Sequence, residues 1–433
     1  MFRQALLGAA LCLLTFEVAG QRAGLRDSVA GIPVNYEEEN VGEYDLPDPL
    51  TFSSGMKVST PGEWYSRRRP EILSEFREFE YGFAPPRPDS MKFDLFDTGS
   101  DALAGSAVRK QVRIYFTGDT AGPKMDLLIY IPSGQKGPFP LLLSINFIPN
   151  STYIDDSGIR RGMMWNREHV RVPAPRESRF GNFDPRSVLS KGIAFASVYY
   201  GDIEPDFKEG IKLGGIRREY LEPGDTLPAA DGWGAIAAWA WGLSRAMDYL
   251  ETDPDIQSDK VAITGISRLG KTVLWAGAND PRFAMVIASC SGEGGAALSR
   301  RNYGETIAHL TAPSRYPYQF CRNYAKFADD VRHFPVDSHM LIALIAPRPL
   351  LLQTGTTDYW SDPKGEFLAA VAAGPVYELL GAKGLGVTEM PDPGQPILHT
   401  LGYFEHEGGH GTLPSDLDVF LDFMQLHLLA PAK

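Results

Sequence analysis

Apolar and polar positions along the 433-residue chain divide it into distinct stretches. Residues 21–60 have no periodicity and read as an extended arm. From Trp64 to Tyr81 the apolar residues Ile72, Leu73 and Phe76 return at helical spacing, with Thr60 placed to cap and Pro61 to open the first turn. Pro70 lies inside that stretch and is expected to kink or split it, while Pro85-Pro86 lie beyond its end. Between Met91 and Phe147 come three β-rich runs. The last, Pro140 to Phe147, is almost wholly apolar, as a strand buried on both faces must be.

Strands and helices then alternate. The runs Gly192–Tyr199, Lys260–Thr264, Phe283–Ser289 and Pro349–Gln353 read as strands. Trp233–Leu250 is an amphipathic helix, its face carried by Ile236, Trp239, Leu243, Met247 and Leu250. Further helices are expected over Lys271–Ala278, Gly365–Leu380 and Leu417–Leu428. This order predicts a mainly parallel sheet with helices on both faces. Residues 150–190 and 205–230 are long, polar and irregular, so they are expected to frame a site rather than fill a core. No repeat or low-complexity segment interrupts the pattern.

Composition narrows the possible partners. Apolar residues make up 43% and charged residues 22%, an ordinary globular balance. The 42 Lys+Arg against 54 Asp+Glu leave a net charge of −12, which argues against nucleic acid and anionic membranes as partners. Residues 2–20 read as a signal peptide: Arg3, an apolar run through Leu14, and small residues Val18 and Gly20 at a cleavage site near Gly20. The run is too short to span a bilayer comfortably, and Leu11-Cys12 is a poor lipid-attachment signal. The expectation is therefore a soluble exported protein, periplasmic or secreted. Of three cysteines, Cys12 falls in that leader. Cys290 and Cys321 remain, too few for a disulfide scaffold or a cysteine-rich zinc module, although export would permit a bridge between them.

The sharpest local chemistry is Val261-Ala262-Ile263-Thr264-Gly265-Ile266-Ser267-Arg268-Leu269-Gly270-Lys271. It sets a serine between a buried strand and a helix, with glycines either side. A nucleophile elbow needs that arrangement, because only small neighbours let strand and helix pack closely around a strained turn. The amide of Arg268, at the helix start, would face a developing oxyanion. The spacing Gly-x-Ser-x-x-Gly is one residue longer than the usual elbow, and a helix merely capped by Ser267 is the plain alternative.

A base should follow, then, in the chain order serine, acid, histidine. His410, in a glycine-rich loop before the last helix, has the best setting; His406 competes, and His309, His333 and His339 read as ordinary polar contacts. His406-Glu407-x-x-His410 also matches a zinc-protease pattern, which works only on a helix. Gly408 and Gly409 would each cost about 1 kcal/mol there, and no third ligand is evident, so no metal and no cofactor is expected. Asp358, after an apolar strand and a glycine turn, suits the acid that orients the imidazole, with Asp362 and Glu293 as rivals.

Together these residues resemble the glucuronoyl esterases of carbohydrate esterase family fifteen, in a bacterial form. The resemblance runs over nearly the whole chain after the leader: Trp64 to Leu73, the Ser267 elbow, Ser291-Gly292-Glu293-Gly294-Gly295-Ala296-Ala297, Arg300 to Glu305, Asp358-Tyr359-Trp360 and His410. It implies an α/β-hydrolase three-layer sandwich and cleavage of esters joining 4-O-methyl-glucuronic acid branches of xylan to lignin alcohols. It further implies Ser267 as nucleophile, His410 as base and Arg268 as oxyanion stabiliser, with Lys271, Glu305 and Trp360 contacting the uronate.

Two positions depart from the family pattern. Many members carry glutamate where this chain has Cys290, and a thiol cannot orient an imidazole as a carboxylate does; Asp358 resembles the alternative acid of some bacterial members, with Glu293 in reserve. Ile266 stands where fungal relatives have a disulfide cysteine. The expected organisation is a leader (1–20), an arm and helix packing on the core (21–90) and a catalytic domain (91–433), acting as a monomer on glucuronoxylan and lignin–carbohydrate esters. The competing readings are an acetyl-xylan or general carbohydrate esterase on the same scaffold, and a catalytically silent carbohydrate-binding protein.

Overall fold

The computed structural model describes residues 25–178 and 182–429, so the leader expected over 1–20 lies outside the described residues. Among the described residues no helix is long and apolar enough to cross a membrane.

Among the described residues the central sheet has nine strands: β1 (Lys92–Ala102), β2 (Ala107–Tyr115), β3 (Lys124–Pro132), β4 (Phe139–Asn146), β5 (Ala194–Tyr199), β6 (Ile256–Ile266), β7 (Met285–Ser289), β8 (Leu350–Gly355) and β9 (Leu401–His406). Their order is β1-β2-β3-β5-β4-β6-β7-β8-β9. β1, β2, β3 and β5 pair antiparallel in succession, and every other neighbouring pair is parallel. The segment from Met91 to Phe147 thus holds four strands, not three. The extra one, β1, is a mostly exposed edge strand whose polar–apolar alternation runs only from Lys92 to Leu95 before Phe96 breaks it.

Side chains alternate across the sheet and feed two separate cores. Leu141, Leu143, Ile145, Val261, Ile263, Leu350 and Leu352 point into one apolar cluster, and Leu142, Ala262 and Leu351 into the other. The larger cluster is closed by α1 (Arg69–Phe76), α2 (Ala235–Leu250), α3 (Arg268–Asn279) and α4 (Pro363–Leu379). The smaller is closed by α5 (Pro414–Met424), through Phe420, Leu421, Phe423 and Met424, together with Val188 and Leu189. Helices on both faces of a mostly parallel sheet make the three-layer α/β-hydrolase arrangement. α2 lies buried on almost every side, which explains its apolar composition.

The arm joins the larger core through Phe52 and Val58, and the helical segment behind it through Trp64, Ile72, Phe76 and Tyr81. Thr60 caps that segment, accepting from the Glu63 amide while Glu63 bonds back. Pro70 does not split it. The residues before it, Trp64–Arg68, wind as a wide turn in which the Arg69 amide reaches Trp64, five residues back. Such a turn accommodates a ring that would collide with an ordinary α-turn.

The direction of strand crossover reverses around β4, since β5 is added on one side of it and β6 on the other. In open α/β sheets the crevice at the carboxyl ends of such strands is where ligands bind. Phe147, after β4, and Ser267, after β6, sit there.

Candidate active site

Ser267 takes φ 61° and ψ −129°, a backbone conformation that β-branched and bulky residues avoid. Its amide donates to the Ser289 carbonyl at 2.9 Å, and its own carbonyl accepts from the Lys271 amide at 3.1 Å, so the turn is pinned from strand and helix alike. The flanking glycines are demanded by contact rather than by φ. A Cβ at Gly265 would meet the Leu269 carbonyl oxygen at 2.4 Å, and one at Gly270 the Ser289 carbonyl oxygen at 2.7 Å. The side chain of Ser267 makes no cap bond to α3. It lines an open cavity of about 630 Å³ instead, which decides between an elbow and a simple helix cap.

His410 and Asp358 line the same cavity. The chain reaches Asp358 three residues after β8 and His410 four residues after β9, neighbouring strands whose carboxyl ends open on one side. His410 Nδ1 lies 2.7 Å from Asp358 Oδ2, and the Ser361 hydroxyl stands 3.3 Å from the same nitrogen. The Asp358 side chain is 4% exposed and that of His410 43%, so a buried carboxylate steadies an imidazole that remains open to the cavity.

The other candidates sit elsewhere. His406, on β9, is buried with both ring nitrogens against oxygens: Asp416 Oδ2 at 2.7 Å and the Gly409 carbonyl at 3.1 Å. It ties the loop bearing His410 to α5, and the His-Glu-x-x-His stretch is strand and loop, not helix. Glu293 points into the core, accepting from the Tyr324 and Ser299 hydroxyls at 2.7 Å each; burial pushes its carboxyl up to about 8. Asp362 caps α4 through the Gly365 amide and pairs with Arg301 at 2.8 Å; burial raises it to about 6. His309, His333 and His339 make polar contacts to Thr306, Asp330 and the Pro47 carbonyl.

Cys290 occupies a left-handed backbone position (φ 45°) at the end of β7 and also lines the cavity. Its thiol donates to the Gly411 carbonyl at 3.5 Å. Burial, with the Asp358 carboxylate adding to it, raises the thiol, which keeps its proton. Cys321 is buried too, against the Glu78 carbonyl, and both cysteines are free.

Lys271, Glu305, Arg315 and Trp360 build one wall. Lys271 and Glu305 are both buried and 3.5 Å apart, and Arg315 donates to Glu305 at 2.9 Å while lying over the Trp360 and Tyr316 rings. Two cations share one carboxylate beside a flat aromatic face, a composition suited to a hydroxyl-rich ring. Arg268 is held by Asp206, which also accepts from the Tyr200 and Tyr318 hydroxyls and the Gln319 amide. Burial works against its charge, but the Asp206 carboxylate more than compensates and raises it.

Sequence reasoning did not find Asp206, Arg315, Tyr316 or Gln319. Asp206 and Gln319 act through partners distant in sequence, and Asp206 lies in a stretch identified only as irregular. The arm contributes as well. Asn35 donates to the Asn302 carbonyl at 2.6 Å and accepts from the Gly304 amide at 2.8 Å, and Glu38 pairs with Arg301 and, at 2.8 Å, with Lys364. These contacts fix the loop carrying Glu305.

Residues 227–381, which hold the elbow, the Cys290 loop, Glu305 and Asp358, match a family model described as glucuronyl esterase, fungi. Over 407 residues the chain is 42% identical to a carbohydrate esterase of an unknown prokaryotic organism, covering 92% of this chain and 93% of that one. The solved glucuronoyl esterase of Solibacter usitatus superposes with a TM-score of 0.86 at 43% identity, over 90% of this chain and 100% of its own. The chain belongs to the glucuronoyl esterase family. The 4-O-methyl-glucuronoyl methylesterase of Schizophyllum commune is 28% identical over 87% of this chain and 80% of its own. Glucuronoyl esterases thus include relatives matching most of this chain's length.

Proposed function

We propose that this protein is a serine carboxylic ester hydrolase that cleaves esters between (4-O-methyl-)glucuronic acid branches of xylan and lignin alcohols. The observation that carries the reading is one cavity holding the Ser267 elbow, the Asp358–His410 pair and the Lys271–Glu305–Arg315–Trp360 wall. The names of its relatives support it.

Ser267 Oγ attacks the uronoyl carbonyl carbon while His410 Nε2 takes the hydroxyl proton. Asp358 holds the Nδ1–H and stabilises the imidazolium. Negative charge gathers on the former carbonyl oxygen, where the Arg268 amide, first of α3 and without an acceptor inside the helix, meets it. Collapse breaks the bond to the alcohol, and His410 returns the proton to the leaving oxygen. Water, deprotonated by the same nitrogen, then splits the glucuronoyl-enzyme and frees Ser267. Lys271, Glu305 and Trp360 hold the sugar during both steps.

Residues 91–433 form the catalytic unit in this reading, with 21–90 packed on it behind a leader over 1–20. The chain works as a monomer after export to the periplasm or beyond. Turnover of benzyl glucuronate against an acetylated xylo-oligosaccharide tests substrate class, with at least a hundredfold preference in kcat/KM expected for the uronate ester. Preference for the acetate would make this an acetyl-xylan esterase. Failure of Ser267 to take up an organophosphonate, with no turnover of either ester, would make it a silent binding protein.

A further inference from the structure

Cys290 has no part in the chemistry just described, yet its sulfur lies in the middle of it. One ligand-type atom from each of Cys290, Asp358 and His410 falls within 4.8 Å of the others. A sulfur, a carboxylate oxygen and an imidazole nitrogen are the donors that a zinc-like cation prefers. Zinc bonds to sulfur at about 2.3 Å and to nitrogen and oxygen at about 2.0 Å, which in a tetrahedron sets the three donors about 3.5 Å apart. Reaching that size means opening the 2.7 Å Nδ1–Oδ2 pair slightly and seating the sulfur, no more than 4.8 Å from either, against both. The ligands come from loops after three adjacent strands, β7, β8 and β9, so no helix has to move. The cavity they line is open, which gives the ion a path in and leaves its fourth position to water.

We propose that Cys290, Asp358 and His410 form a binding site for a soft divalent cation, zinc in the first instance, and that occupancy switches the hydrolase off reversibly. The nitrogen that reaches such an ion together with Asp358 is Nδ1, which already stands 2.7 Å from its carboxylate. The ion replaces the Nδ1 proton, and the neutral imidazole carries its hydrogen on Nε2. That nitrogen can no longer accept the Ser267 proton. The thiol releases its proton to solvent, so one proton leaves per ion bound, and the charges of thiolate and carboxylate balance the dication. A protonated thiol keeps the site weak in the absence of metal, and metal binding itself supplies the deprotonation.

The inference rests on the serine–histidine reading for its effect on rate, but the binding itself can be read without any substrate. Zinc chloride is titrated into the full chain during hydrolysis of an aryl acetate and of methyl glucuronate, each variant being scored against its own zinc-free rate. The expected result is full inhibition, reversed by EDTA, with at least a tenfold higher half-inhibiting zinc concentration for Cys290→Ser and for Cys290→Ala. Cadmium is then added without substrate and the ultraviolet thiolate-to-metal absorption recorded. Parent and variants share Cys12 and Cys321, so a band present in the parent and lost in Cys290→Ser belongs to Cys290. Equal zinc sensitivity in parent and variants, no inhibition at millimolar zinc, or a cadmium band indifferent to Cys290 would each overturn the proposal. Absence of turnover on methyl glucuronate alone would fault the substrate assignment and leave the metal site to be judged on the acetate and the cadmium band.

Discussion

Replacing Asp358 by asparagine is the most informative single change, because it keeps the shape of the site and removes one charge. In the native arrangement the carboxylate, 4% exposed, meets His410 Nδ1 at 2.7 Å in surroundings that water screens little. An amide there can still accept a hydrogen bond, but it no longer stabilises the imidazolium that forms when Ser267 gives up its proton. It can also turn its NH₂ toward Nδ1 and lock the tautomer that cannot act as a base. The Ser361 hydroxyl, 3.3 Å from Nδ1, offers a neutral contact and no replacement charge. A loss of about 10³- to 10⁴-fold in kcat is expected, equivalent to about 4 to 5.5 kcal/mol of transition-state stabilisation. The change keeps the side chain's shape and leaves Lys271, Glu305 and Trp360 in the cavity wall, so KM should stay within about threefold. The assay is initial-rate hydrolysis of methyl glucuronate, with Glu293→Gln as control. Glu293 is bonded to Ser299 and Tyr324 and away from His410, so its variant should keep more than a third of the parent kcat at the pH of the assay. A drop of less than tenfold in Asp358→Asn, or an equal loss in Glu293→Gln, would refute Asp358 as the orienting acid.

Three further outcomes follow from the same geometry. Adding Cys290→Glu to Asp358→Ala should recover at least tenfold in kcat over Asp358→Ala alone, since residue 290 lies beside the His410 loop; no recovery would mean that a carboxylate there cannot reach the imidazole. Lys271→Met should raise KM for methyl glucuronate about tenfold while changing turnover of an aryl acetate much less, and a parallel loss on both esters would remove Lys271 from the sugar-binding wall. Stability should fall as pH rises from the ordinary carboxyl value near 4.5 toward 8, because the folded state keeps Glu293 protonated where the unfolded chain has released its proton. This group alone gives a slope of at most about 1.4 kcal/mol per pH unit. Urea melts of Glu293→Gln across that range should show a shallower decline than the parent, and parallel slopes would contradict the assignment.

What could be seen in the sequence was whatever is written locally. The apolar strands β4 to β8 and the elbow glycines are set by neighbours within a few residues, because close packing around Ser267 tolerates nothing larger than Gly265 and Gly270. Asp358 was legible because it follows an apolar strand and a glycine turn, and His410 because it stands in a glycine-rich loop before the last helix. Choosing between Asp358 and Glu293 was not possible from sequence, since both follow strand-like runs. Only the third dimension separates a carboxylate facing the cavity from one facing Tyr324. The hub at Asp206 and the clasp of Asn35 and Glu38 on the Glu305 loop join segments 62 to 267 residues apart, and no periodicity records such contacts. His406 and His410 illustrate the same limit: four residues apart in one glycine-rich segment, one is buried against Asp416 and the other opens on the cavity.

The central claim is that Ser267 carries the acyl group of a glucuronate ester. It is tested most directly by kcat of Ser267→Ala on methyl 4-O-methyl-glucuronate, in protein shown by its melting curve to be folded. The account predicts a loss of at least about a thousandfold, because the alanine leaves the elbow at the start of α3 without an attacking oxygen. Activity within tenfold of the parent would contradict it.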